Sequence, residues 1–186
     1  MRACALALAV LIGAATACSS YRGSARAFSP AALESPGWIA VRGVHFLPQD
    51  AESDCGAAAI AMVVGYWTGA APPTLAAALR PAPARGITAG RLRAFARDHG
   101  LLAFLIQGQI DDLVHELEHG RPVLVGLVKP QRKGVYTHYE VVVAVHLGQR
   151  IVVTLDPAEG WRQNSFDGFR AEWEPASRLT LITSSR

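Results

Sequence analysis

Cys55 is the residue of this sequence that is best placed to act as a nucleophile. It opens an apolar run, residues 54–66, that predicts a helix, with Asp54 in the N-cap position. A thiol in the first turn of a helix lies at the positive end of the helix dipole, which favours the thiolate. The thiolate is the form of cysteine that attacks carbon, so covalent catalysis is the chemistry that Cys55 could perform.

Gln49 stands six residues ahead of Cys55 and supplies an amide group close to the thiol in sequence. An amide donor can stabilise the oxyanion of a tetrahedral intermediate, a role worth about a hundred- to a thousand-fold in rate. We therefore expect Gln49 to act as the oxyanion donor. The backbone amides at the start of the predicted helix offer a second donor.

A thiol nucleophile also needs a base and a group that orients the base, and two neighbouring predicted strands could supply them. His138 begins the strand of residues 138–147, and Asp156 follows the strand of residues 151–155. The odd-numbered positions of both strands are apolar. Burying both apolar sets on one face requires an odd number of loop residues around Gly148, and it brings His138 and Asp156 to the opposite face. We therefore predict that the imidazole and the carboxylate lie on the same side of the sheet.

In their order and spacing these residues resemble the double-glycine leader peptidase family. Its members are papain-like cysteine peptidases, best known as the N-terminal domains of bacteriocin-exporting ABC transporters. The resemblance covers roughly residues 45–183 and depends on these motifs: Gln49, Asp54-Cys55-Gly56, His138-Tyr139 and Asp156-Pro157. It implies that Cys55 is the nucleophile and that His138 is the base. It also implies that Asp156 orients His138 and that Gln49 is the oxyanion donor.

The resemblance further implies a peptide or protein substrate with a glycine-rich leader, bacteriocin processing and a partner exporter. It implies neither a cofactor nor a metal ion. The sequence contains no pattern of a transporter membrane domain or an ATP-binding module, so we expect a stand-alone member of the family.

Helical patterns mostly precede strand patterns along the chain. Apolar periodicity and capping residues predict helices at residues 54–67, 74–79, 88–99 and 109–119, and later at 166–173. Runs rich in Val, Ile and Leu predict strands at residues 101–106, 122–128, 138–147, 151–155 and 178–183. This order predicts an α+β fold, with N-terminal helices packed on a C-terminal antiparallel sheet. The resemblance implies that this fold is papain-like.

The first 17 residues predict a lipoprotein signal peptide. Arg2 supplies a positive charge, and residues 5–17 form an apolar stretch that is too short to span a bilayer. The run Ala15-Thr16-Ala17-Cys18 then resembles a bacterial lipobox, in which the cysteine is lipidated. An ordinary secretory signal that is cleaved near residue 17 stays open as the alternative.

These features predict where the domain begins and where the protein resides. Residues 18–36 are rich in small, turn-forming types and predict a tether, so that residues 37–186 form the papain-like domain. We expect a lipid anchor on Cys18 to hold the protein at the membrane of the bacterial envelope, facing the periplasm. Ser19, rather than an aspartate, follows Cys18, and the resemblance to bacterial lipoproteins then implies the outer membrane.

The charge balance argues against a nucleic-acid partner. The chain has 18 Lys and Arg against 15 Asp and Glu, and residues 131–133 are its single small basic cluster. Proteins that bind nucleic acids through their phosphates carry a basic patch or stripe, which this sequence lacks.

Three other functions remain open on the sequence alone. The first is a non-catalytic, peptide-binding envelope lipoprotein, and the second is a papain-like acyltransferase or amidase, because one fold supports several reactions. The third is a zinc hydrolase, because His115, Glu116 and His119 match the H-E-x-x-H signature. Helical periodicity, however, directs the two histidines away from the apolar side of their helix, and a solvated polar face is the interpretation we favour.

Glu140 shares a strand face with His138 and has no assigned role in this scheme. A carboxylate at that position could tune the histidine or contact a substrate. A solvated strand residue is the interpretation that the sequence favours.

Overall fold

A computed structural model of the chain describes residues 24–80, 86–131 and 134–185. Helices in this part are α1 (Cys55–Thr68), α2 (Pro72–Ala77), α3 (Ala89–Asp98), α4 (Ile110–Glu118) and α5 (Phe166–Trp173). The strands are β1 (Arg26–Ala27), β2 (Trp38–Ala40), β3 (Leu102–Gln107), β4 (Val123–Gln131), β5 (Gly134–His146), β6 (Ile151–Asp156), β7 (Gly160–Ser165) and β8 (Leu179–Ser184).

The strands form one antiparallel sheet with the order β1-β7-β6-β5-β4-β8-β3, and β2 pairs with the far end of β5. One apolar cluster joins α1 and α3 to one face of the sheet, and a second cluster joins α4 and α5 to the other face. The predicted α+β fold is therefore confirmed, with helices on both faces of the sheet. Within the described residues, no helix has the length and apolar character needed to cross a membrane.

Small side chains bring α1 close to the sheet. Every residue of α1 from Cys55 to Gly65 is buried. A Cβ atom at Gly56 would lie 3.2 Å from the ring of Tyr139 on β5, so glycine permits the close approach of this first turn. At the other end, Gly69 adopts a left-handed conformation with φ 71° and closes the helix. The start of α1 is thus packed directly against the strand that carries His138.

Asp54 is the residue directly before α1. Its side chain makes no capping hydrogen bond, and its carboxylate instead lies 3.3 Å from Nε of Arg80. Asp54 thus occupies the predicted N-cap position of α1, and its carboxylate pairs with the guanidinium of Arg80.

The β5–β6 hairpin differs from the predicted one at its turn. His146 pairs with Ile151, which leaves four loop residues, 147–150, instead of an odd number. A β-bulge at Val143 places one extra residue on β5 and restores the alternation further along the strand. The carbonyl of Val143 accepts a hydrogen bond from the backbone N–H of Val41 at 2.8 Å. The prediction of the loop length is wrong, because alternation alone does not reveal a bulge.

Residues 24–36 belong to the folded domain, although the sequence predicted a tether up to residue 36. Two of these residues form β1, which pairs with β7, and Pro30–Glu34 form a 3-10 turn. The ring of Phe28 is buried against Trp38 and Trp161, with centroid distances of 5.4 and 6.3 Å. Residues 24–36 therefore pack against the domain and do not form a free tether in the described part of the chain. The predicted signal peptide and residues 18–23 lie outside the described residues.

We predict that Phe28→Ala lowers the free energy of unfolding by about 3 kcal/mol, because it removes a buried ring from an aromatic cluster. Phe104→Ala is the matched control, since Phe104 is 53% exposed at the edge strand β3. It should change the free energy by no more than about 0.5 kcal/mol. Urea denaturation followed by fluorescence measures both values. Equal, small effects would mean that residues 24–36 do not unfold together with the domain.

Candidate active site

Three of the predicted site residues meet in a buried cluster at the start of α1. Nε2 of His138 donates a hydrogen bond to Oδ1 of Asp156 at 2.6 Å. A second side-chain hydrogen bond joins His138 to Cys55. Because Asp156 occupies Nε2, Nδ1 is the ring nitrogen that remains to face the thiol. All three side chains are buried, with Cys55 6% and Asp156 0% exposed.

The β5–β6 pairing positions the imidazole and the carboxylate. Val141 on β5 pairs with Leu155 on β6, and His138 and Asp156 lie just beyond this pair. Oδ1 of Asp156 also accepts a hydrogen bond from the backbone N–H of Ala158 at 2.8 Å, in the turn that leads to β7. This turn fixes the carboxylate, so Asp156 can hold the ring of His138 in one orientation.

The charged forms of His138 and Asp156 stabilise each other. Burial alone lowers the pKa of His138, but hydrogen bonds to Asp156 and Cys55 and the charges of both groups raise this pKa to about 10. Burial raises the pKa of Asp156, and the hydrogen bond and charge of His138 lower it, with further help from Lys129, to about 2. Over the pH range between these values the pair is an imidazolium and a carboxylate.

Gln49 lies in the loop before α1, tied to the turn after Asp156. Its backbone N–H donates to the carbonyl of Pro157 at 2.9 Å. The side-chain Nε2 of Gln49 donates to the carbonyl of Ala51 at 3.1 Å, and an amide nitrogen carries a second hydrogen for another acceptor. The first backbone N–H groups of α1, including that of Cys55, have no acceptor inside the helix. The loop and the helix start thus offer two kinds of hydrogen-bond donor.

Arg80, which follows α2, holds this loop in place. Its guanidinium pairs with Asp50 and Asp54 and points Nη2 at the carbonyl of Pro48, 3.4 Å away. These contacts flank Gln49 on both sides. Sequence reasoning missed Arg80 because it lies far from the loop in the chain, next to a proline-rich stretch with no motif.

Glu140 is not a solvated strand residue, and that interpretation is wrong. It is 1% exposed and forms a buried ion pair with Lys129 on β4. Oε1 of Glu140 lies 4.0 Å from Nε2 of His138. Burial raises the pKa of Glu140, and the charge of Lys129 opposes this rise. Its placement on the face of His138 was the available signal, but nothing in the sequence showed that α5 covers this face.

The carboxylates around His138 form the one group of potential metal ligands in the described residues. Ligand atoms of His138, Glu140 and Asp156 lie within 4.8 Å of one another. Lys129 pairs with Glu140 and lies 3.9 Å from Oδ2 of Asp156, so its ammonium already supplies the positive charge there. An ammonium in this position repels a metal cation, and the donor set does not fit a metal site.

The H-E-x-x-H residues do not form a comparable cluster. His115 on α4 and His119 directly after it are exposed, with ring centroids 4.4 Å apart. Glu116 is buried and forms two hydrogen bonds with the guanidinium of Arg121, at 2.6 and 3.0 Å. A glutamate held in this way is not available as a base for a metal-bound water. Cys18, the predicted lipidation site, lies outside the described residues.

Comparison with known proteins gives a consistent assignment for most of the chain. Residues 44–185 match the sequence model of the Peptidase C39 family. No curated protein matches the chain.

Several solved structures share the fold at low sequence identity. A double-glycine motif protease from an AMS/PCAT transporter, solved with its leader peptide, is 20% identical, with a TM-score of 0.61 over 79% of this chain and 95% of that one. A C39-like peptidase from Bacillus anthracis is 16% identical, with a TM-score of 0.62 over 80% and 98%. The peptidase domain of Streptococcus ComA is 23% identical, with a TM-score of 0.60 over 76% and 100%. These matches confirm the papain-like fold that the sequence resemblance implied.

We predict that the effect of Asp156→Asn on stability depends on pH. The interactions that raise the pKa of His138 stabilise the fold fully below about pH 6.5, and this contribution is lost as the pH rises towards 10. The interactions that lower the pKa of Asp156 stabilise the fold above about pH 3.8, and this contribution is lost as the pH falls towards 2. The loss of unfolding free energy in the variant should therefore be largest between about pH 4 and 6.5.

Urea denaturation of both proteins between pH 3 and 9 measures this difference. Asp167→Asn is the control, because Asp167 forms only surface ion pairs, with Arg150 and Arg170. Its effect should be small at every pH. A loss in Asp156→Asn that does not vary with pH would contradict the charged pair.

Proposed function

The chain belongs to the Peptidase C39 family, and we propose that this cysteine-type peptidase uses Cys55 as its nucleophile, with His138 as the base. Asp156 orients the imidazole, and Gln49 stabilises the oxyanion. The observation that carries the proposal is the position of His138. It is hydrogen-bonded to Asp156 through Nε2 at 2.6 Å and to the Cys55 side chain as well.

Each step of peptide hydrolysis has a group in this cluster. The Cys55 thiolate attacks the carbonyl carbon of the scissile bond, and the oxyanion accepts hydrogen bonds from Gln49 and the Cys55 backbone. The imidazolium of His138 then protonates the leaving amine, and an acyl-enzyme remains on the sulfur. The neutral imidazole next activates a water molecule, which hydrolyses the thioester and restores the thiol. Asp156 stays ionised throughout and stabilises the imidazolium.

We propose a peptide or protein substrate with a glycine-rich leader. This proposal is supported by the fold that the chain shares with a double-glycine motif protease solved with its leader peptide. An exporter that transports the processed peptide is the partner that such a substrate implies.

We also propose that Cys18 carries a lipid that anchors the protein to the outer membrane, facing the periplasm. Ser24 is already held in the domain, because its backbone N–H donates to Oε1 of Glu172 at 2.8 Å. The six-residue step from Cys18 to Ser24 spans at most about 20 Å when fully extended. A lipid on Cys18 would therefore keep the peptidase domain next to the membrane surface.

A thiol-reactive, peptide-like probe tests the nucleophile and the base. We expect rapid labelling at Cys55 in the wild type and none at that position in Cys55→Ala, which should also lack peptidase activity. His138→Ala should slow labelling by about a hundred-fold or more, because it removes the base. Peptide mass spectrometry locates the label.

The same experiment separates the alternatives. His119→Ala and a metal chelator should leave labelling unchanged, whereas a zinc hydrolase would lose its activity with either. Slow labelling that His138→Ala does not alter would indicate a peptide-binding protein. An acylated Cys55 that passes its acyl group to an added amine faster than to water would indicate an acyltransferase.

We predict that Gln49→Ala lowers kcat by about a hundred-fold and changes KM little, because an oxyanion donor acts mainly in the transition state. Hydrolysis of a fluorogenic peptide that ends in Gly-Gly before the reporter group measures both constants. Gln149→Ala, an amide in the exposed β5–β6 loop, is the control and should match the wild type. An increased KM at unchanged kcat would instead assign Gln49 to substrate binding.

A further inference from the structure

A lysine is buried directly behind the His138–Asp156 pair. Lys129 on β4 is 0% exposed, although lysine is rarely buried completely. Its ammonium pairs with Glu140, lies 3.5 Å from Oε2 of Glu172 on α5, and lies 3.9 Å from Oδ2 of Asp156. A buried ammonium is unfavourable unless other charges compensate for it, and three carboxylates surround Lys129.

Lys129 faces the oxygen of Asp156 that His138 does not use. Oδ1 of Asp156 accepts hydrogen bonds from His138 and from the backbone of Ala158. Oδ2 is buried and has no hydrogen-bond partner among the described residues. The ammonium of Lys129 is the cation that the structure places within 4 Å of this oxygen. An ionised carboxylate in a buried position is favoured by such a charge.

Lys129 also separates the two carboxylates that could compete for His138. Oε1 of Glu140 lies 4.0 Å from Nε2 of His138, whereas Oδ1 of Asp156 lies at 2.6 Å. The ion pair with Lys129 engages the same Oε1 atom of Glu140. Without the ammonium, Glu140 would either take a proton or move towards the imidazole, and both changes would disturb the His138–Asp156 bond.

The charged groups around Lys129 come from three elements. Glu140 faces it from β5, Asp156 from β6 and Glu172 from α5, and His138 on β5 lies next to Glu140 and Asp156. Oε1 of Glu172 accepts hydrogen bonds from Asn164 on β7 and from Ser24. Lys129 therefore lies where three strands and a helix meet, at the centre of the buried charges.

We propose that Lys129 is a positioning residue of the peptidase site, whose ammonium keeps Asp156 ionised and holds Glu140 away from His138. The inference builds on the proposed function, because it assumes that Asp156 orients the base. The charge of Lys129 lowers the pKa of both Asp156 and Glu140, which burial would otherwise raise. Lys129 thus extends the pH range of the reactive Cys55–His138 pair on its acidic side.

The pH dependence of Cys55 alkylation tests this role without a known substrate. The full chain is treated with iodoacetamide between about pH 2 and 9, and peptide mass spectrometry quantifies the rate at Cys55. We expect Lys129→Met to move the acidic limb of this profile to higher pH by about one pH unit, because Asp156 then takes up a proton more easily. The free energy of unfolding is measured on the same samples.

Three further variants separate positioning from packing. Glu140→Gln keeps the ammonium and should not move the acidic limb to higher pH. The double variant Lys129→Met/Glu140→Gln removes both charges of the ion pair, so it should fold even if the single lysine variant does not. It should still show the shifted limb. Arg121→Met breaks the ion pair with buried Glu116 on α4, and it should lower stability without moving the limb.

The outcomes distinguish this inference from the proposed function. A wild-type profile that has no acidic limb below that of a free cysteine would refute the thiolate–imidazolium pair itself. A wild-type acidic limb that stays in place in Lys129→Met and in the double variant would overturn the role of Lys129 alone. A shift of equal size in Arg121→Met would show that loss of stability, and not the lysine charge, moves the limb.

Discussion

The hydrogen bond between His138 and Asp156 is the interaction on which the rest of the site depends. A buried imidazolium and a buried carboxylate are each unfavourable alone, and they are tolerated because they lie 2.6 Å apart and have further partners. Ala158 donates to the carboxylate, Cys55 bonds to the ring, and Lys129 lies behind both. Because each charge needs the others, the cluster links β4, the middle of β5, the end of β6 and the start of α1. The strands and the helix that carry the candidate catalytic residues are thus linked by the same buried charges.

The packing of α1 delivers the thiol to this cluster. A helix with a glycine and three alanines after Cys55 can approach the sheet more closely than a helix of larger residues. At Gly56 an added Cβ atom would lie only 3.2 Å from the ring of Tyr139. The loop before α1 is then fixed from two sides, by the Gln49–Pro157 backbone hydrogen bond and by Arg80. A peptidase site needs this rigidity, because an oxyanion donor must be in place before charge develops.

The β5–β6 hairpin illustrates how a sequence pattern can be right about a contact and wrong about its cause. Alternation placed His138 and Asp156 on one side, and the two side chains are in contact. The alternation required an odd number of loop residues between the strands, whereas the structure has four loop residues and a bulge at Val143. Val41, the residue after β2, donates a hydrogen bond to the carbonyl of Val143 in this bulge. β7 escaped prediction for a related reason, since Trp161, Arg162 and Gln163 show no apolar alternation and are kept in a strand by their neighbours.

The candidate reactive groups, the α+β order and the family could be predicted from the sequence, because these depend on local periodicity and on motifs that are contiguous in the chain. Tertiary structure alone decided the environment of those groups. Lys129 and Glu140 look like ordinary polar strand residues until α5 covers their face of the sheet, and residues 24–36 look like a tether until Phe28 packs on Trp161. The physical reason is that periodicity indicates which way a side chain points, whereas its burial and its protonation state depend on the groups that pack against it. Burial is a property of the assembled layers, and no single segment contains it.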